Sequence, residues 1–139
     1  ESDMFNVIEN DQIYYAVPKL HTELILFLQK HLNILHTGIP LYEQKGNNFI
    51  PQTGLALSKF FNKKNAITYE INYEQAIRFL QKETFSTNNL AKGYIAVCHK
   101  NTPLGWIKNL GNRHNNLYPT EWRIRSKTSP KEILSLFEM

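Results

Sequence analysis

Between Pro103 and Pro119 the chain reads PLGWIKNLGNRHNNLYP, which gathers Lys108, Arg113 and His114 with four asparagines, two aromatic residues and two glycines. So many donors among so few core-forming residues point to a surface built for polar contact. Lys108 and Arg113, with Arg123 and Arg125 just beyond, supply charge for phosphates. Asn112, Asn115 and Asn116 carry both donors and acceptors, suited to ribose hydroxyls or base edges. Tyr118 and Trp122 add π faces. A purely structural reading of the same residues gives Trp106 and Tyr118 to the core and leaves the asparagines to satisfy a tight loop, Gly111-Asn112 being a common turn pair. We assign Trp106 to the core and Lys108 and Arg113 to binding. The binding reading requires these side chains to project together as one surface.

The charge distribution favours such a partner. The 139 residues carry a net charge of +4, but residues 1–43 hold two Lys against six Asp and Glu, whereas residues 84–127 hold seven Lys and Arg against Glu121 alone. Clustered cations beside aromatic rings suit a polyphosphate strand, because counterion release drives binding and rings stack on bases. A merely solvated basic face is the alternative. Other chemistries lack their residues. The six glycines never cluster as a nucleotide or S-adenosylmethionine loop, so no cofactor is expected in this chain. Cys98 and His99 are adjacent and point to opposite faces of a strand, and His21, His31 and His36 have no paired spacing, so no metal is expected. Cys98 sits in an apolar run and reads as core, not as a nucleophile. Glu121 has no carboxylate partner for acid and base work in the basic half. No residue is assigned as catalytic.

Length and composition set the frame for these residues. One domain, or two small ones sharing a core, fits 139 residues, and no apolar run approaches the roughly 20 residues of a membrane span. A single cysteine suits a reducing, cytoplasmic compartment. The opening at Glu1, without a basic and apolar leader, suggests a piece of something longer.

The elements that must position the stretch follow from pattern. MFNVIENDQIYYAV reads as two strands around Asn10-Asp11, and Pro18 suits the start of a helix in which Leu20, Leu24, Phe27, Leu28 and Leu32 recur at helical spacing, a helix expected to be mostly buried. Short extended pieces broken by Gly38, Pro40, Gly46 and Pro51 precede one or two helical turns at TGLALSKFF. The polar cluster Asn62 to Asn65 marks a boundary between units 1–65 and 66–127. Beyond it, AITYEI is a strand, and Asn72 with Gln75 forms a capping box that opens a second helix. TFSTNNLAKG is a loop, and GYIAVCHK pairs with LGWIKNLG as an antiparallel hairpin. EWRIR alternates as an exposed strand would, and SPKE caps a last helix within 128–139. The sum is an α+β fold with a small barrel-like sheet around Trp106 and the 94–98 run, not a doubly wound parallel sheet.

The spacing of Gly105-Trp106, Lys108, Gly111, Arg113, Asn116 and Tyr118-Pro119 resembles the G-W-x-K-x-x-G-x-R-x-[KN]-N-x-Y-P signature in the C-terminal PUA-like domain of Nop/Sun-type ribosomal RNA 5-methylcytosine methyltransferases, especially the bacterial 16S methyltransferase F group. YYAVPKL with its leucine-rich helix, and GIPLYEQKGNNFIPQTGLALS after it, look like the region that precedes that domain; AIRFLQKETF looks like the passage into it. The resemblance covers most of residues 13–125. It implies a PUA-like small mixed β-barrel with flanking helices, preceded by a small α/β module. It further implies that Lys108, Arg113, Asn116 and Tyr118 hold ribosomal RNA for an N-terminal methyltransferase domain that uses S-adenosylmethionine and two cysteines; Asn115, Arg123 and Arg125 join that set on their donors and charge. That catalytic part has no counterpart in this chain. Two positions depart from the pattern: Asn109 and Asn115 stand where the family usually places basic residues, a loss expected to weaken phosphate attraction.

Overall fold

In the computed structural model, which describes residues 2–127, the chain is a mixed α+β fold with two four-stranded sheets. Strands β1 (Phe5–Asn10) and β2 (Ile13–Pro18) form the expected hairpin. Its turn lies one residue later than the sequence suggested, at Asp11 and Gln12, both with positive φ (51° and 65°), because Asn10 stays in the ladder opposite Ile13. β3 (Ile39–Lys45) pairs with β2 and β4 (Asn48–Pro51) with β3, all antiparallel. Pro40 occurs inside β3 at the register shift between Tyr14 and Tyr15, where the ladder is already interrupted. Gly38, at φ +63°, is needed just before it: a Cβ there would lie 2.3 Å from the Ala16 carbonyl oxygen.

Helix α1 (Thr22–His31) meets this sheet through Thr22 and Ile25, and here the expectation of burial fails. Thr22, buried and bonded to Asn6 and to the Pro18 carbonyl, anchors it, and Ile25 packs on the small cluster Ile8, Tyr15 and Val17. Leu20, Leu24 and Phe27 are 87%, 56% and 58% exposed. The helix is apolar around most of its circumference, and a core of three buried residues covers only one stripe of it.

The second sheet runs β5 (Thr68–Glu70), β6 (Gly93–His99), β7 (Thr102–Asn109), β8 (His114–Asn116) in spatial order. Only β5 and β6 are parallel; α3 (Tyr73–Leu80) connects them. The capping box that opens α3 is as expected, Asn72 Oδ1 accepting from the Gln75 amide and Gln75 Oε1 from the Asn72 amide. The β6–β7 hairpin forms through Lys100 and Asn101, both at positive φ. On one face of the sheet, Phe79 of α3 joins Ile71, Phe85, Ile95, Val97 and Ile107 in the main core. On the other, Trp106 and Ala96 meet Ala56 of α2 (Thr53–Leu57), the short helix expected at TGLALSKFF. Trp106 is 5% exposed, and its Nε1 donates to the Gln52 carbonyl at 3.0 Å, which ties the two sheets together. Cys98 is buried, as its apolar run implied.

EWRIR is exposed but is not a strand. Thr120–Trp122 is a 3-10 turn, and residues 123–127 follow without regular structure, held by the Ile124 amide donating to the Leu80 carbonyl. Among the described residues no strand pairs with them. The helix expected within 128–139 lies outside the described residues.

Candidate nucleic-acid interface

The strand pleat sorts the stretch 103–119 into two faces. Gly105, Ile107 and Asn109 of β7, with His114 and Asn116 of β8, turn toward α3, whereas Trp106 and Lys108, with Asn115, turn the other way. Tyr94, Lys108 and Asn115 form one cross-strand row, with Lys108 Nζ 5.3 Å from the Tyr94 ring centroid. Arg113 is exposed in the β7–β8 turn, beside a depression of about 360 Å³ shared with Thr84, Ser86, Thr87 and Asn112. Arg123 and Arg125 are exposed around another, of about 290 Å³, with Gln81 and Glu83 at the C-terminal end of α3. Lys108, Arg113, Arg123 and Arg125 form no ion pair among the described residues. The single outward surface required by the sequence reading is therefore divided: Lys108 and Asn115 leave the sheet on the Trp106 face, while Arg123 and Arg125 lie beside the helix that covers the opposite face.

Asn116 and Tyr118 have internal partners. Asn116 Nδ2 donates to the Phe79 carbonyl (2.8 Å) and the Glu83 carbonyl (3.1 Å), and its Oδ1 accepts from the Tyr118 amide (2.9 Å). Tyr118 is half-buried, its ring 5.5 Å from Phe79, and its carbonyl accepts from Lys82 Nζ at 2.6 Å. Together they fasten the 116–126 segment to the end of α3 and so set where Arg123 and Arg125 stand.

Sequence reasoning missed two residues. Lys92 packs its side chain over Gly111, with Cε 2.9 Å from where a Cβ would be, which adds a cation beside the Arg113 turn. Asn109, read as a lost charge, is buried and donates to the Leu90 and Ala91 carbonyls while accepting from the Gly111 amide. A charge at 109 would face the 90–91 loop and not a phosphate; of the two departures only Asn115 alters the surface. The signal for Asn109 was its place two residues before Gly111, an Asx-turn spacing.

His114 is buried against Phe85, ring centroids 4.7 Å apart, and its Nε2 has no hydrogen-bond partner among the described residues. Burial pushes its pKa below the ordinary 6.5. The unfolded chain then takes up a proton near pH 6.5 before the folded chain does, so stability is full above that pH and falls as pH drops through 6.5 toward the folded-state value. Urea-unfolding midpoints measured across this range will decline in the native protein and decline less in His114→Leu; equal slopes would contradict the burial effect.

A capped helix on a small mixed sheet, with exposed unpaired cations about its edge strand, defines a compact α+β module of basic edge. Residues 66–124 match the family described as Methyltransferase RsmF PUA domain, and the resemblance carried by residues 105–119 holds over that span. The match begins between the two sheets and includes every strand of the second. No curated protein matches the chain. Among the described residues no helix is long and apolar enough to cross a membrane, and no three His, Cys, Asp or Glu side chains cluster as metal ligands.

Proposed function

We propose that this chain is the RNA-holding part of an S-adenosylmethionine-dependent ribosomal RNA cytosine-5 methyltransferase that acts in the cytoplasm, with residues 66–127 as a PUA-like barrel module and residues 1–65 as the unit before it. The observation that supports it most is the family match over a sheet whose edge strand, β8, has half-buried Lys108 and exposed Arg113, Arg123 and Arg125 about it, none in an ion pair among the described residues. Because those cations lie on both faces, the RNA backbone bends around the β8 edge: Lys108 and Asn115 touch it on one side, Arg113 at the turn, Arg123 and Arg125 on the other. Asn116 and Tyr118 hold this arrangement from within. The module supplies position and no chemistry; by fixing the RNA it raises the effective concentration of one cytosine at a methyltransferase domain elsewhere in the parent protein. S-adenosylmethionine belongs to that domain.

Lys108→Ala with Arg113→Ala is expected to flatten the dependence of log K on log salt by roughly 1.4, two phosphate contacts at about 0.7 each, in filter binding to a ribosomal RNA stem-loop. Tight binding indifferent to salt and to both substitutions would end the proposal. A second reading assigns the first unit to docking on the catalytic domain without RNA contact; the exposed Leu24 and Phe27 of α1, with Leu20 in the turn before it, favour it for that unit. It predicts RNA retention no greater than that of an unrelated basic domain.

A further inference from the structure

Between the two sheets lies a cleft of about 450 Å³, a volume in the range of small-ligand sites, about 300–1,000 Å³. Its walls are aromatic from both units: Tyr42 and Phe49 from β3 and β4, Tyr94 and Trp106 from β6 and β7, and Phe61 from the connection. Tyr42 and Phe49 are 40% and 50% exposed, and Phe61 braces Trp106 edge-on at 5.4 Å. Among the described residues no acidic side chain lines the cleft. Asn65 stands in its wall with a side-chain amide that has no hydrogen-bond partner among the described residues. Lys108, on the same face of the sheet as Trp106, holds its ammonium over the Tyr94 ring at the margin.

We infer that this cleft takes one unstacked nucleobase of a single-stranded RNA segment, its ring against the cleft aromatics, its edge read by Asn65 and its phosphate met by Lys108. Flat π surfaces, a neutral lining, an uncommitted amide and one cation at the margin match a base joined to a phosphate; an aliphatic peptide would use neither the amide nor the cation. The inference rests on the RNA-binding reading and extends the interface from the β8 edge to the first sheet, which the family match does not include.

The test uses the full chain with Trp122→Phe, which leaves Trp106 as the fluorescent reporter. The probes are a short single-stranded oligouridylate and an oligonucleotide of equal length whose riboses are abasic. Oligouridylate is expected to change Trp106 emission and to bind more tightly than the abasic strand. Phe49→Ala is expected to weaken oligouridylate roughly ten-fold and leave the abasic strand unaffected. Asn65→Asp, which repacks nothing, is expected to weaken oligouridylate in the same direction. Equal binding of both probes, no Trp106 response, or a loss from Phe49→Ala that is the same for both strands would each overturn the base site while leaving backbone binding at β8 intact. Failure of the unsubstituted chain to bind either probe or a ribosomal stem-loop would overturn the RNA reading and this inference with it.

Discussion

Asn116→Ala is expected to lower the unfolding free energy by about 2–3 kcal/mol, while Asn115→Ala, one residue away, changes it by less than about 0.5 kcal/mol. The contrast follows from the pleat. Asn116 faces α3 and makes three hydrogen bonds to backbone groups of Phe79, Glu83 and Tyr118, each with a net contribution of about 0.5–1.5 kcal/mol. The alanine leaves the Glu83 carbonyl and the Tyr118 amide to find water at a half-buried site, the Phe79 carbonyl keeping the Lys82 amide, and it frees the segment that carries Arg123 and Arg125. Asn115 is exposed and has no such set. Urea titrations will show the Asn116 midpoint falling with an unchanged denaturant slope. RNA binding measured well below that midpoint separates the roles further. If Asn116 is scaffold, the remaining loss traces to displaced Arg123 and Arg125 and appears in the salt slope; a direct base contact would weaken binding without altering stability. A stable Asn116→Ala protein would remove the scaffold assignment.

What the sequence disclosed was whatever local chemistry decides. The Asn72–Gln75 capping box is a reciprocal pair three residues apart, and the β6–β7 hairpin is two β-rich runs across a short turn; each pairs its backbone groups with partners close by in the chain. The helix over 20–32 was legible, although Pro18 ends β2 and a 3-10 turn at 19–21 delays the α-helix to Thr22; its burial was not legible, since the number of apolar faces covered depends on how much core the sheet beneath provides. HNNLY has no hydrophobic alternation, so nothing in it says which of Asn115 and Asn116 points inward; pairing with Ile107 and Lys108 sets that phase. The division of the cations has the same origin. Arg123 and Arg125 read as a strand because bulky and basic residues alternate there, yet a strand requires a neighbour with open ladder groups, and the segment instead meets the end of a helix. The inter-sheet cleft was hidden for a different reason: it depends on Trp106 reaching Gln52, 54 residues earlier in the chain.

Gly105, the first residue of the Gly-Trp pair, carries the other large expected effect: Gly105→Ala will cost about 2–3 kcal/mol. The position combines two demands that only glycine meets. Its φ of +154° is strained for an L side chain, and it falls beside the register shift where Val97 pairs with Gly105 but Cys98 with Pro103, a bulge that leaves Leu104 unpaired. A Cβ would also stand 3.0 Å from Phe79 Cζ and 3.3 Å from Cε1, and Phe79 is fully buried, so the ring has nowhere to move without disturbing Tyr118 or the sheet. Overpacking of this kind costs about 1–3 kcal/mol, to which the backbone strain adds. A double-mutant cycle separates the two components. Phe79→Leu shortens the side chain facing Gly105, so Gly105→Ala in that background should cost at least about 1 kcal/mol less than in the native protein. Strictly additive losses would show that the glycine is required for its φ alone, and that the close approach of β7 to α3 does not limit what position 105 can hold.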